Sequence, residues 1–240
     1  MISKQQIKYI RSLHKKKFRD QNRQFIIEGP KMIKEAMEYA PHSISHVFGL
    51  SEMEHLFAEQ VAFESISQKE LNQISVLRQP QKILAICNYL PPKSLDPEFY
   101  IALDTIQDPG NLGTILRLAS WFGVQQIIAS KETVDCYNTK VVQASMGAIF
   151  NVQIEYVDLK EALQNVNLPI YGSLLNGENI YQSQKAKKGI LLMGNEGKGI
   201  HSDLLPLITH PVTIPKFGYG ESLNVAMATS IFLSEFSRSS

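Results

Sequence analysis

The sequence predicts an α/β protein in two units, the second built on a mostly parallel sheet. Short apolar runs alternate with segments of helical spacing along all 240 residues. Over residues 98–240 these runs are nearly continuous, as in strands covered by helices on both faces. A seam, Leu90-Pro91-Pro92-Lys93-Ser94-Leu95-Asp96-Pro97, resists helix and central strand alike. It divides the chain into domains of residues 1–92 and 98–240.

Each element follows from a local pattern. Ile7, Ile10 and Leu13 share one side of an N-terminal helix, while Lys4, Lys8, Arg11 and Lys15 share another. Residues 24–29 read as a short strand ahead of a helix over 31–39. Apolar patches at 47–50, 61–63 and 83–86 read as strands with helices between them. After the seam, residues 100–104 form a buried strand run, 112–122 a helix and 126–129 a strand. A helix over 138–147, a strand over 152–157 and a helix over 159–166 come next. Strands near 169–174, 189–193 and 211–214 precede a closing helix over 222–236, with Ser222 as its expected N-cap.

Composition narrows the function. With 44% apolar and 20% charged residues, a packed core is expected rather than disorder. The longest apolar runs, such as Gly189-Ile190-Leu191-Leu192-Met193, fall far short of the ~20 residues that span a bilayer. The first residues lead into a charged segment and not an apolar signal core, so a cytoplasmic protein with no membrane partner is expected. Cys87 and Cys136 are the only cysteines, and no C-x-x-C or Cys/His cluster exists. That argues against a disulfide framework and a structural metal.

The net charge of +1 conceals an asymmetry. Residues 1–24 hold eight of the 24 bases and one of the 23 acids, Asp20, leaving 16 bases against 22 acids elsewhere. A basic end on a neutral-to-acidic body suggests a polyanion contact there. The phased bases, and the aromatic inside Lys15-Lys16-Lys17-Phe18-Arg19, favour nucleic acid over a merely solvated face.

Common catalytic signatures are missing. Gly194-Asn195-Glu196-Gly197-Lys198-Gly199 has only two residues between its first glycines and no Ser or Thr after the lysine, so it is not a P-loop. There is no G-x-G-x-x-G after a strand, no H-E-x-x-H and no G-x-S-x-G elbow. Three polar loops remain, each after a predicted strand. Asp108-Pro109-Gly110-Asn111 supplies turn chemistry before a helix carrying Arg117, and Asn111 can cap that helix. Asn111 and Arg117 are six apart, so they converge only if Asn111 lies in the loop. The glycines around Glu196 permit close backbone approach to a ligand. The third loop runs from Ile214-Pro215 to Ser222-Leu223-Asn224-Val225, where Asn224 would sit among the free N–H groups of the last helix.

Together these loops resemble the three motifs of the SpoU (TrmH-like) RNA 2′-O-ribose methyltransferases of the SPOUT superfamily. The family's Asn-x-Gly-x-x-x-Arg appears as Asn111 to Arg117, its Gly-x-Glu-Gly-x-Gly as Gly194 to Gly199, and its Ile-Pro…Ser-Leu-Asn-Val as Ile214 to Val225. Lys216-Phe217 departs from the Met that commonly follows Ile-Pro. The N-terminal part resembles, more loosely, the substrate-binding domain of the ribosomal RNA branch.

The resemblance implies an L30e-like RNA-binding domain followed by a SPOUT α/β knot, a deep trefoil knot with a mostly parallel sheet. It implies S-adenosylmethionine as cofactor and a homodimer through the C-terminal domain. Gly194, Ile214 and Leu223 would contact the cofactor through their backbone, with the strand end at Leu174 bordering the pocket. In the family this arginine is held to deprotonate or activate the hydroxyl. Because arginine is a poor base, Arg117 is expected as an electrostatic clamp on the target phosphate and developing alkoxide, with base action the alternative. Asn111 and Asn224 would orient ribose and Arg117, Glu196 would hold Arg117 by a charge-assisted hydrogen bond, and Ser222 would complete the pocket. Lys4, Lys8, Arg11, Lys15 and Arg19 are the expected RNA contacts. Ribosomal RNA is the expected substrate; transfer RNA, or a non-catalytic RNA-binding assembly factor, is the alternative.

Overall fold

The computed structural model describes residues 2–57, 61–93, 98–184 and 186–238. Residues 94–97 of the expected linker lie outside them. The chain opens with α1 (Lys4–Ser12), α2 (Lys16–Asn22), β1 (Gln24–Glu28) and α3 (Pro30–Tyr39). Then come β2 (Ile44–Gly49), α4 (Glu54–Phe57), β3 (Phe63–Ser65), α5 (Gln68–Ile74) and β4 (Ile83–Asn88). The remainder comprises β5 (Phe99–Leu103), α6 (Pro109–Trp121), β6 (Gln126–Ser130), α7 (Thr139–Ser145), β7 (Gln153–Val157) and α8 (Leu159–Gln164). It closes with β8 (Ile170–Asn179), β9 (Gly189–Met193), β10 (His210–Thr213) and α9 (Val225–Arg238).

The first compact unit is Met1–Pro92 together with Asp135–Asn151. Its sheet runs β1-β4-β2-β3, with β4 antiparallel to both neighbours and β2 parallel to β3. α1 starts on a capping box: Ser3 Oγ accepts from Gln6 N–H, and Gln6 Oε1 accepts from Ser3 N–H. Ile10 and Leu13 are buried with Ile26, Phe48, Leu71 and Ile86 on one side of the sheet. On the other side Phe25, Ile27, Ile33, Val47 and Phe57 are buried together with Val142, Ile149 and Phe150. The stretch from 135 to 151 therefore supplies part of this unit's core although it begins 38 positions after the seam ends at Pro97. A proline seam marks where the chain stops forming regular structure, and core membership is decided by packing.

The second unit is Lys93–Val134 with Val152–Ser240. Its sheet runs β10-β8-β9-β5-β6-β7 and every pairing is parallel. β9 is buried at all five positions, which is why its sequence is apolar without alternation. β8 continues to Asn179, beyond the expected 169–174. Its register against β10 jumps, with Pro211 opposite Gly172 but Val212 opposite Glu178. The backbones close up at Gly177, where an added Cβ would lie 2.5 Å from the Val212 carbonyl carbon. Parallel order gathers the C-terminal ends of the strands on one edge of the sheet. In open α/β sheets that edge is where ligands bind.

Candidate active site

The first loop leaves β5 at Asp104, whose buried carboxylate accepts from His201 N–H at 2.6 Å and from Thr105 Oγ1 at 2.9 Å. Thr105 takes a left-handed φ of 59°, unfavourable for a β-branched residue. It is held from two sides: its N–H donates to Ser130 Oγ, and its carbonyl accepts from Asn195 Nδ2 at 2.8 Å. α6 then begins with Pro109 at its first position and Asp108 as N-cap, Oδ1 accepting from Asn111 N–H. The expected cap, Asn111, is instead inside the first turn. Capping by Asp108 leaves the Asn111 side chain free to reach outward.

The second loop is shaped by Asn195. Its Oδ1 accepts from Gly197 and Lys198 N–H, and its backbone pairs both ways with Gly199 at 2.9 Å. A Cβ on Gly194 would lie 2.4 Å from Gly199 and Ile200 backbone atoms, so only glycine fits. Asn195 organises this loop and ties it to Thr105, a role that sequence reasoning missed. The available signal was an Asn two positions before a glycine, the mark of a side-chain-stabilised turn.

In the third loop the cap expectation is again corrected. α9 begins at Val225, and Asn224 caps it, Oδ1 accepting from Ala226 and Met227 N–H at 3.0 and 3.2 Å. Ser222 lies outside the helix and is exposed. The other end of the Asn224 amide donates to Asn111 Oδ1 at 2.9 Å, and Asn111 Nδ2 donates to Glu196 Oε1 at 2.7 Å. One chain of hydrogen bonds thus joins all three loops.

That chain corrects the expected partner of Glu196, which is Asn111 and not Arg117. Six helical residues rotate Arg117 about 120° away from Asn111. Arg117 stands exposed on α6 and, among the described residues, has no hydrogen bond or ion pair.

Of the residues expected to meet a cofactor, Gly194 and Ile214 sit at strand ends, whereas the expected strand end at Leu174 is corrected, because β8 runs on to Asn179. Leu174 is on β8, Gly194 follows β9 and Ile214 follows β10. β8 and β10 are bridged there by Thr213 Oγ1 donating to the Leu175 carbonyl at 3.3 Å. Leu175 is 83% exposed and Leu223 52%. At this bridge the Leu175 side chain stands open beside backbone polar groups, the usual lining of a small-molecule site.

In the first unit Lys4, Lys8 and Arg11 are exposed on α1. Lys15 is exposed too, but the helix ends at Ser12 and Lys15 precedes α2, so it is not on the same face. Arg19 is a correction. It is 2% exposed, with one nitrogen donating to Asp135 Oδ2 at 2.6 Å and another to the Leu13 carbonyl at 3.1 Å. The break after α1 rephases the basic run and turns Arg19 inward, where it binds the 135–151 stretch.

Comparison with known proteins bears on this site. A model of the SpoU rRNA Methylase family matches residues 98–234, and one of the MRM3-like substrate binding domain matches residues 4–85. The chain is 28% identical over 238 residues to the 23S rRNA (guanosine(2553)-2′-O)-methyltransferase RlmP of Bacillus subtilis, spanning 95% of this chain and 94% of that one. A TrmH-family structure from Porphyromonas gingivalis is 34% identical, with a TM-score of 0.91 and complete coverage of both chains. The AdoMet-bound rRNA methyltransferase from Sinorhizobium meliloti is 29% identical with a TM-score of 0.88, over 99% of this chain and 96% of that one.

Proposed function

The chain belongs to the SpoU rRNA methylase family, and from that premise we propose that it methylates a ribose 2′-hydroxyl of ribosomal RNA with S-adenosylmethionine as donor. The observation that carries the reading is the Asn224–Asn111–Glu196 chain, which draws the three motif loops together around the strand ends.

The residues present suit this cofactor. Adenine and a methionine chain need apolar cover and backbone hydrogen bonds, and open Leu175 on β8, with the backbone that follows β9 and β10, offers both. Leu174, Gly194, Ile214 and Leu223 would hold it. When bound it would supply a sulfonium-activated methyl group for the 2′-oxygen, leaving as the neutral thioether.

The protein's own part is positioning and charge. Arg117 clamps the target phosphate and steadies the developing alkoxide; its unengaged guanidinium supports that role. Asn111, Asn224 and Glu196 fix the relative position of the loops that hold ribose and cofactor, and Ser222 borders the same pocket. Lys4, Lys8, Arg11 and Lys15 of the substrate-binding domain, read as L30e-like, bind RNA phosphates. The strand-end loops are read as a trefoil knot, and the enzyme as a cytoplasmic homodimer through its C-terminal domain. A purely RNA-binding role would leave the complete methyl-transfer set without a use.

The test is transfer of tritiated methyl from S-adenosylmethionine to RNA from cells lacking the protein, separated into ribosomal and transfer fractions. Label recovered as a 2′-O-methyl nucleoside from ribosomal RNA is expected. Label confined to transfer RNA would reverse the substrate assignment, and none in RNA or ribosomal particles would overturn the enzymatic one.

A further inference from the structure

Between β10 and α9 the chain crosses Lys216-Phe217-Gly218-Tyr219-Gly220-Glu221, and both aromatic rings are in the open. Phe217 is 92% exposed and Tyr219 fully exposed. Lys216 Nζ donates to the Gly220 carbonyl at 3.1 Å, closing the segment into a small loop. Gly218 and Gly220 have nothing within 4 Å of where a side chain would begin, and Gly220 takes a φ of 132°. Two exposed rings are therefore carried on a loop with open space around both of its glycines. Gly220 is four residues and Phe217 seven residues from Asn224, so they lie within about 14 and 25 Å of the residue that joins the three motifs.

We infer that Phe217 and Tyr219 form a stacking platform that receives an unpaired base of the RNA substrate at the methyl-transfer site. This rests on the RNA methyltransferase reading above. Sequence-specific RNA recognition targets unpaired nucleotides, whose splayed bases RNA-binding proteins hold on aromatic faces. Alternate residues of a glycine-spaced loop present two rings at little packing cost. Arg117, Lys198 and Lys216 on the site's loops and helix answer the adjoining phosphates; of the acids there, Asp108 and Glu196 accept hydrogen bonds from Asn111, and Glu221 is the acid in the aromatic loop. A second copy of the chain has other apolar surface to use. Trp121 on α6 and Met227 on α9 are 84% and 61% exposed, on helices with continuous side-chain surfaces.

The experiment titrates wild-type protein, a Phe217→Ala/Tyr219→Ala double variant and Phe217→Trp into a single-stranded oligoribonucleotide carrying 2-aminopurine. Fluorescence quenching reports stacking. RNA KM, S-adenosylmethionine affinity and oligomeric mass are measured alongside. Loss of the pair should abolish quenching and weaken RNA binding at least about fivefold, the lower end for one stacked base. Phe217→Trp should retain both, with cofactor affinity and mass unchanged throughout.

Unaltered quenching and RNA affinity in the double variant would overturn the platform. So would a fall in mass, which would make the loop a protein contact, or an equal loss of cofactor affinity, which would make it part of the cofactor site. Wild-type protein that quenches the probe but methylates no RNA would leave the platform standing and sink the methyl-transfer reading.

Discussion

Asn111 and Glu196 lie 85 positions apart and meet at 2.7 Å, amide Nδ2 donating to carboxylate Oε1. The contact fixes the start of α6 against the glycine loop after β9. Asn111→Ala removes it together with the link to Asn224, and kcat should fall on the order of 100-fold, the scale of a misplaced site. Glu196→Gln leaves an oxygen to accept from Asn111 and removes only the charge. If geometry is the role of Glu196, that variant keeps most of its activity; a loss as deep as that of Asn111→Ala would assign the role to its charge.

Asn224 divides its amide between two tasks. Its oxygen caps α9 and its nitrogen donates to Asn111. Asp caps as well as Asn but cannot donate, so Asn224→Asp should keep its Tm and lose turnover. Asn224→Ala should lose turnover and about 1 kcal/mol of stability. Ser222→Ala should leave Tm unchanged because Ser222 caps nothing. Thermal melts beside single-turnover assays separate the two tasks.

The buried pair Arg19–Asp135 holds the 135–151 stretch in the first unit. Removing its acid strands a guanidinium that is 2% exposed. Asp135→Ala should cost about 3–5 kcal/mol in a urea melt, whereas Arg19→Met, which removes the charge and keeps the stem, should cost less. Equal costs would mean that packing, not charge, dominates.

For RNA binding, replacing Lys4, Lys8 and Arg11 together should make the slope of log affinity against log salt shallower. The change expected is up to about 0.7 for each RNA phosphate that is no longer neutralised. A slope equal to wild type would move the RNA-binding surface off α1.

Glu28 gives a pH dependence with a definite sign. Burial raises its pKa above the ordinary 4.5, partly offset by the hydrogen bond from Ser75. The folded state therefore holds this proton more tightly than the unfolded state. Stability from this group is complete below about pH 4.5 and is lost as pH rises through the raised folded value. Glu28→Gln can still accept from Ser75 and cannot ionise. Its stability relative to wild type should grow from pH 4 to pH 7, and a difference that shrinks over that range would refute the assignment.

The strands were legible in the chain because their apolar runs answer directly to burial on both faces, as in β9. The motif loops were legible because Gly194 and Asp108-Pro109 are demanded by backbone geometry that few residues satisfy. Sequence alone thus determined the α/β class and the parallel second unit, and it marked the three polar loops that the Asn224–Asn111–Glu196 chain joins.

Partnerships were decided only in three dimensions. Asp108 and Asn111 could each have capped α6, and Ser222 and Asn224 each α9; the choice of Asp108 and Asn224 as caps freed Asn111 to link Glu196 to Asn224. Arg19 read as part of a basic surface until the break after Ser12 turned it toward Asp135. The stretch from 135 to 151 follows the seam in the chain and yet packs with what precedes it. Burial and backbone strain are written into local composition, but a hydrogen bond or ion pair between distant residues depends on which groups the fold brings within 3 Å, and no local pattern records that.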